Sequence, residues 1–416
     1  MKKIFYSIAP CMLCITGLFA QTLSLEEVKA GIRTANPVVK MYDSEVKSMD
    51  EAAKGARSWM PPQLGFGQFM TPYNTALWKK DGEMNGMGSV MFSAEQMIPN
   101  KRKLDSDEAY MKAMSGTEQQ RKQASVNELV NDGKLLYYDW IVLEKRLVVL
   151  KENEQVLDFM IKNAEIRYKN RMEKLNVFYK AKAALGDVQS MQLMYESDIT
   201  EKRIRLNSLM GRQAMLPFSI DTVIQWGKYD ELVFDSALFY QSRSDLKAID
   251  NDILLMHLKQ ETERQSLRPQ FGMRYDHMIG FGGQPMQYTI MGMVKFPMAG
   301  WSNKMNKANI ESLEWKSQAL QAQKEMMVNE MSGMAYGMRN ELELKKKQIA
   351  LLEGTILPAL KNNFKTLQLA YEQNTEELFM LYDAWETLNM KQMEYLDLML
   401  RALQLQVTID RLIEKP

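Results

Sequence analysis

Cysteine is nearly missing from this chain. Only Cys11 and Cys14 occur, both inside the opening stretch MKKIFYSIAPCMLCITGLFA. Lys2 and Lys3, an apolar run and the small residue Ala20 make residues 1–20 read as a secretory signal peptide, too short for a membrane-spanning helix. Pro10 and Leu13 stand where a lipid-attachment signal wants a small residue, so no lipid anchor is expected. The chain beyond the signal is cysteine-free, which excludes disulfides and thiol chemistry. Histidine is almost as scarce, with His257 and His277 in different contexts. There is no HExxH, no glycine-rich phosphate loop and no serine elbow. The reading is therefore no enzyme, no catalytic residue, no cofactor and no resident metal. Strong charge is lacking too: without Lys2 and Lys3, 51 basic residues face 52 acidic ones. A net charge of −1 gives no electrostatic case for nucleic acid. After the signal no run of eighteen apolar residues occurs, so membrane contact must come from strands or an amphipathic face.

What the sequence has is an internal echo. YKNRMEKLNVFYKAKAAL (Tyr168 to Leu185) returns 203 residues later as YEQNTEELFMLYDAWETL (Tyr371 to Leu388). Tyr168/Tyr371, Glu173/Glu376, Leu175/Leu378, Tyr179/Tyr382, Ala181/Ala384 and Leu185/Leu388 match in register. PQLGFG at Pro62 answers PQFGMR at Pro269. The expected organisation is a tandem repeat, 21–212 and 231–416, joined by a linker at 213–230. Two copies are too few for a solenoid and suit a pseudo-symmetric object.

Each half reads as a helix, two alternating runs, a very long helix, a tip (168–175 and 371–378) and another helix. Leu129, Gly133, Leu136, Trp140, Leu143, Leu147, Leu150, Leu157 and Ile161 step by three and four, with Glu154 as the polar break. A continuous helix over 101–169 would be about 100 Å long. Strands are expected near 62–72, 88–98, 269–279 and 286–297. In the third, Phe271, Met273, Tyr275, His277 and Ile279 alternate with Gly272, Arg274, Asp276 and Met278. In the fourth, Tyr288, Ile290, Val294 and Phe296 alternate with Gln287, Thr289 and Lys295. One apolar and one charged face suit a barrel with lipid outside and water inside, placing Arg274, Asp276 and Lys295 in the lumen. Four strands cannot close a barrel, and an open edge cannot face lipid. Several chains must then contribute four strands each.

Methionine is abundant, at 35 residues. Thioethers suit soft cations such as Cu(I) or Ag(I), yet methionine is also a flexible apolar filler. Heavy-metal cations are one candidate cargo on this basis.

LSLEEVKAGIRTANPVVK, SWMPPQLGFG, LNSLMGR (Leu206 to Arg212), TILPALKNNFKTLQLAYEQN and LFMLYDAWETL, in this order, resemble the TolC-type outer membrane efflux proteins. The resemblance covers nearly all of the chain after the signal. It implies a mostly helical protomer with transmembrane strands, three chains forming a 12-stranded barrel and a 12-helix periplasmic tunnel. It further implies an exit duct in the outer membrane of a Gram-negative bacterium, in contact with lipid. Its partners would be a periplasmic adaptor and an inner-membrane transporter, RND-type foremost. By the same resemblance the pore gate lies around Tyr168, Asn170, Tyr371, Asn374, Met380 and Asp383. Asn374 stands where the family has glycine at the second tip, and Arg171, just after Asn170, is its equivalent at the first. Of two acidic constriction residues in well-known members, Asp383 matches and Met380 does not. The family's basic residue after the tyrosine is Glu376 here. The competing reading is a periplasmic coiled-coil adaptor or scaffold.

Overall fold

A computed structural model describes residues 21–171, 174–297 and 299–414. The expected signal peptide, Glu173 and Met298 lie outside the described residues. The first half runs β1 (Gln21–Leu23), α1 (Leu25–Ala35), α2 (Pro37–Lys54), β2 (Gln63–Phe69), β3 (Ser89–Ile98), α3 (Lys101–Lys169), α4 (Leu175–Leu209) and β4 (Phe218–Ile220). The second runs α5 (Ser236–Ser242), α6 (Ser244–Ser266), β5 (Gln270–Gly280), β6 (Gln287–Lys295), α7 (Gly300–Leu351), α8 (Leu357–Glu372) and α9 (Leu378–Leu412). The long helix runs from Lys101 to Lys169, and each of the four strands begins and ends within three residues of its expected limits.

The chain divides into two units. One comprises residues up to Pro37, Glu128–Glu231 and Gly337–Arg411. In it β1 pairs in parallel with β4, Leu23 opposite Ile220. α1 starts on a capping box: the Glu27 amide donates to Ser24 Oγ at 3.3 Å, and the Ser24 amide returns a bond to Glu27 at 2.7 Å. The seam of α3 is buried at Leu136, Trp140, Leu143, Leu147, Leu150 and Leu157. Tyr137, Tyr138, Ile141 and Val142 are buried as well, so this part of α3 is covered on more than the one face a heptad describes. The polar break is satisfied, because Glu154 accepts from Gln189 and Gln192 at 3.0 Å each. These two amides, Gln189 first, hold its carboxyl below the usual range. α4 ends in a Schellman turn: Gly211 has φ 63°, and the Arg212 amide reaches Asn207 O at 2.9 Å.

Between α7 and α8 one wider, π-type turn spans Leu352–Ile356. Pro358 explains it, since a proline clashes with the carbonyl four residues earlier, here that of Gly354.

The Tyr137 hydroxyl lies 3.0 Å from both Leu23 O and Asp221 O. Burial pushes its pKa up from 10.0 to about 12. Because the folded value exceeds the unfolded one, this stabilisation is complete below pH 10 and is lost as pH rises towards 12. The apparent melting temperature should therefore fall more steeply in this interval for wild type than for Tyr137→Phe. Parallel curves would remove Tyr137 from the account.

The other unit comprises Val38–Asn127, Leu232–Tyr336 and the residues from Leu412. Its centre is an antiparallel sheet ordered β2-β3-β5-β6. α3 and α6 are joined here by Arg121–Asp252 at 3.1 Å, and α2 and α3 by Lys122–Asp43. The two loops at the far ends of the strands are fused. Trp78 stacks on Phe281 at 5.2 Å, and the Gly86 amide donates to Gly282 O at 2.9 Å. A Cβ on Gly282 would sit 2.6 Å from Gly86 Cα, and its φ of 57° also demands glycine.

Candidate functional site: a two-faced sheet and two helical tips

In the sheet, register decides which side chains share a face. Glu95 pairs with Arg274, and Arg274 with Met291; Ser93 pairs with Asp276, and Asp276 with Thr289. Gln270 pairs with Lys295 on this same face. The sequence-predicted lumenal residues Arg274, Asp276 and Lys295 therefore lie on one side. Arg274 Nε donates to Asp276 Oδ1 at 2.9 Å, and Asp276 is buried. The opposite face carries Leu64, Phe66, Phe92, Phe271, Tyr275, Ile279, Tyr288, Ile290 and Val294, all exposed. Such a face left in water is unfavourable by about 25 cal/mol for each Å². β2 and β6 are the outer strands of the sheet, and neither has a second neighbour among the described residues.

Aromatic residues mark the helix end of the strands. Trp59, Phe296 and Trp301 are 57%, 61% and 86% exposed there. On α7, Trp301, Met305, Trp315 and Met326 are all exposed and fall on one stripe at 100° per residue. Among the described residues nothing covers this stripe.

The tips belong to the other unit. Arg171 and Asn374 both take the left-handed conformation, with φ 60° and 61°. At the second tip the Thr375 amide reaches Ala370 O at 2.9 Å, and the Asn374 amide reaches Tyr371 O at 3.1 Å. At the first, the Arg171 amide reaches Tyr168 O at 2.9 Å, so the turn falls on Arg171 and not on Asn170. Asn170 instead bonds back to Ile166 O through its side chain at 2.9 Å. Arg171→Gly should stabilise the purified protein by about 1 kcal/mol, the cost of a side chain in this region. An unchanged or lowered apparent melting temperature would contradict that.

Beneath the tips lies a core of Leu157, Met160, Ala164, Val177, Ala181, Tyr371, Leu378, Leu381, Tyr382 and Trp385. Trp385 Nε1 donates to Asn153 Oδ1 at 2.9 Å, and Asn153 in turn donates to Asn389 at 2.8 Å. The repeated tyrosines are not equivalent: Tyr371 is 1% exposed and Tyr168 46%. Tyr382 is buried, whereas its mate Tyr179 is exposed.

Met380, Asp383 and Met390 are exposed on α9, away from the buried Leu381, Tyr382 and Trp385. Among the described residues no ion pair engages Asp383. Its counterpart at the offset of 203 is Lys180, whose ammonium lies 4.2 Å from the Tyr382 ring centre and 3.9 Å from Glu386.

The residue that sequence reasoning missed is Arg167. Its guanidinium stacks 3.7 Å from the Tyr371 ring centre and donates to the Tyr371 carbonyl. That joins the last turn of α3 to the last turn of α8. The signal was present in the repeat, where Arg167 faces Ala370.

No family model matches the sequence, and no curated protein matches it. Solved structures do. The outer-membrane channel OprN superposes with TM-score 0.76 at 11% identity, over 94% of this chain and 90% of that one. CusC, a transmembrane channel, gives 0.74 at 12% identity, over 95% and 93%. The outer membrane protein VceC from Vibrio cholerae gives 0.73 at 14% identity, over 94% and 95%. Two-faced sheet, paired helical tips and near-complete coverage lead to one conclusion: the chain has the protomer fold of the TolC-type outer-membrane channels.

Proposed function

We propose that the protein is the outer-membrane exit duct of a tripartite export system. The observation that carries this reading is the sheet with two free edges and one exposed apolar face. Lipid tolerates such a sheet only when its edges are closed. Three chains, each adding four strands, close a 12-stranded barrel with Arg274, Asp276 and Lys295 facing water. The uncovered stripe on α7 supplies a surface for a neighbouring copy, and Trp59, Phe296 and Trp301 supply an interfacial girdle. A periplasmic scaffold would have no use for the exposed apolar face.

The helices form the periplasmic tunnel, and the tips are its entrance, engaged by an adaptor and an inner-membrane transporter, RND-type foremost. The duct is passive; the pump supplies the energy. Asp383 lines the constriction, where three copies on the threefold axis favour cations and bind multivalent ones.

Planar-bilayer conductance tests this. Wild type should show a small, cation-selective conductance that millimolar divalent cations block. Asp383→Ala should lose the block and part of the selectivity. An identical block in the variant would move the constriction away from Asp383, and failure of the wild type to insert would sink the duct.

A further inference from the structure

The two tips differ in the sign of their charge. The first turn, between Lys169 at the end of α3 and Leu175 at the start of α4, carries Arg171 and Lys174. The second, between Glu372 and Leu378, carries Glu376 and Glu377 and no base. At the offset of 203, Lys174 faces Glu377, so one position of the repeat holds opposite signs. Glu173 is the one acid of the first turn, which leaves residues 170–174 at +1 against −2 for residues 373–377.

Arg171, Lys174, Glu376 and Glu377 are all exposed. Charges on the nearby helical flanks find partners: Glu165 pairs with Lys169 at 2.7 Å, and Lys180 with Glu386 at 3.9 Å. Among the described residues no ion pair engages the four turn residues. The hairpins themselves adjoin, because Arg167 of α3 stacks on Tyr371 of α8. Opposite charges on adjoining turns thus stay unpaired within the chain. Copies packed side by side meet along their helical flanks, whereas a body arriving end-on meets the turns.

We infer that the two turns together dock a protein that presents carboxylates to Arg171 and Lys174 and cations to Glu376 and Glu377. This rests on the duct reading and gives the contact chemistry of its periplasmic partner. In a ring of three chains the turns alternate in sign. A partner of one sign would meet repulsion at every second turn, which rejects it. A partner bearing both signs is attracted at every turn and is fixed in register.

The test places a photoreactive benzophenone amino acid at Gln373, exposed in the second turn, and irradiates cells of the native host. Cross-link yield is read per heat-modifiable trimer, so that poorly assembling variants are discounted. Wild type should join to a different protein, through a segment that holds both acidic and basic residues. Reversing one turn, by Arg171→Glu with Lys174→Glu or by Glu376→Lys with Glu377→Lys, should lower the yield about tenfold or more. Reversing both turns restores the alternation and should bring the yield back to within about threefold of wild type. No product, a product that joins only copies of this chain, or a partner segment of one sign would each overturn the proposal. So would a yield indifferent to the single reversals, or no recovery when both turns are reversed. Wild-type conductance reports on the duct independently. A conducting protein with indifferent cross-links keeps the channel and loses the docking, whereas a wild type that does not insert loses the channel.

Discussion

Replacing Arg167 by alanine should raise the conductance of the reconstituted protein by about tenfold or more. Arg167 is the cross-tie between the two tip hairpins, stacked on Tyr371 and hydrogen-bonded to its carbonyl. A charge-assisted hydrogen bond contributes about 1.5–3 kcal/mol and a desolvated cation–π contact up to about 2 kcal/mol. Even a combined loss of about 2 kcal/mol shifts a closed–open equilibrium roughly thirtyfold. Arg167→Lys should fall between, since lysine keeps the charge but not the planar fork. Tyr371 stays buried against Leu378 and Leu381 in either variant, so the hairpins themselves should remain folded. Alanine and wild-type channels of equal conductance would show that the cross-tie does not hold the tip.

The second large effect separates the faces of β6. Ile290 lies on the apolar face and Thr289, its neighbour, on the polar one opposite Asp276. Ile290→Lys places a charge in lipid at about 2–4 kcal/mol per chain, or roughly 6–12 kcal/mol per trimer. It should abolish assembly in the outer membrane. Thr289→Lys gains Asp276 as a neighbour and should leave the yield of heat-modifiable trimer within about twofold of wild type. Equal yields from both variants would mean that neither face meets lipid.

Much of the architecture was legible because it rests on local patterns. Pro99 before Lys101 and the leucine seam bounded α3, and alternation over Phe271–Ile279 and Gln287–Phe296 marked two of the strands. The left-handed turn at Asn374 was expected from the family resemblance, whereas at the first tip, where Asn170 was named, the turn falls on Arg171. The environments of the repeated residues did not follow. Residue identity at an offset of 203 says nothing about which helices cover a position, so Tyr168 and Tyr179 are exposed while Tyr371 and Tyr382 are buried. The wide turn at Leu352–Ile356 needed Pro358 to be read together with Gly354 rather than as part of one helix. Arg167 was passed over because its partner is 204 residues away.

The central claim is closure by three chains, and cross-linking tests it most directly. The expected mature chain carries no cysteine, so Gln63→Cys in β2 and Lys295→Cys in β6 would be its only thiols. Both sites are exposed on the polar face of the sheet, on its two free edges, where water lets the thiol ionise and react. Treated in outer-membrane fractions with a flexible bismaleimide, the double variant should give a ladder that stops at three chains. A ladder that runs past three, or one that stops at two, would contradict a closed trimeric barrel.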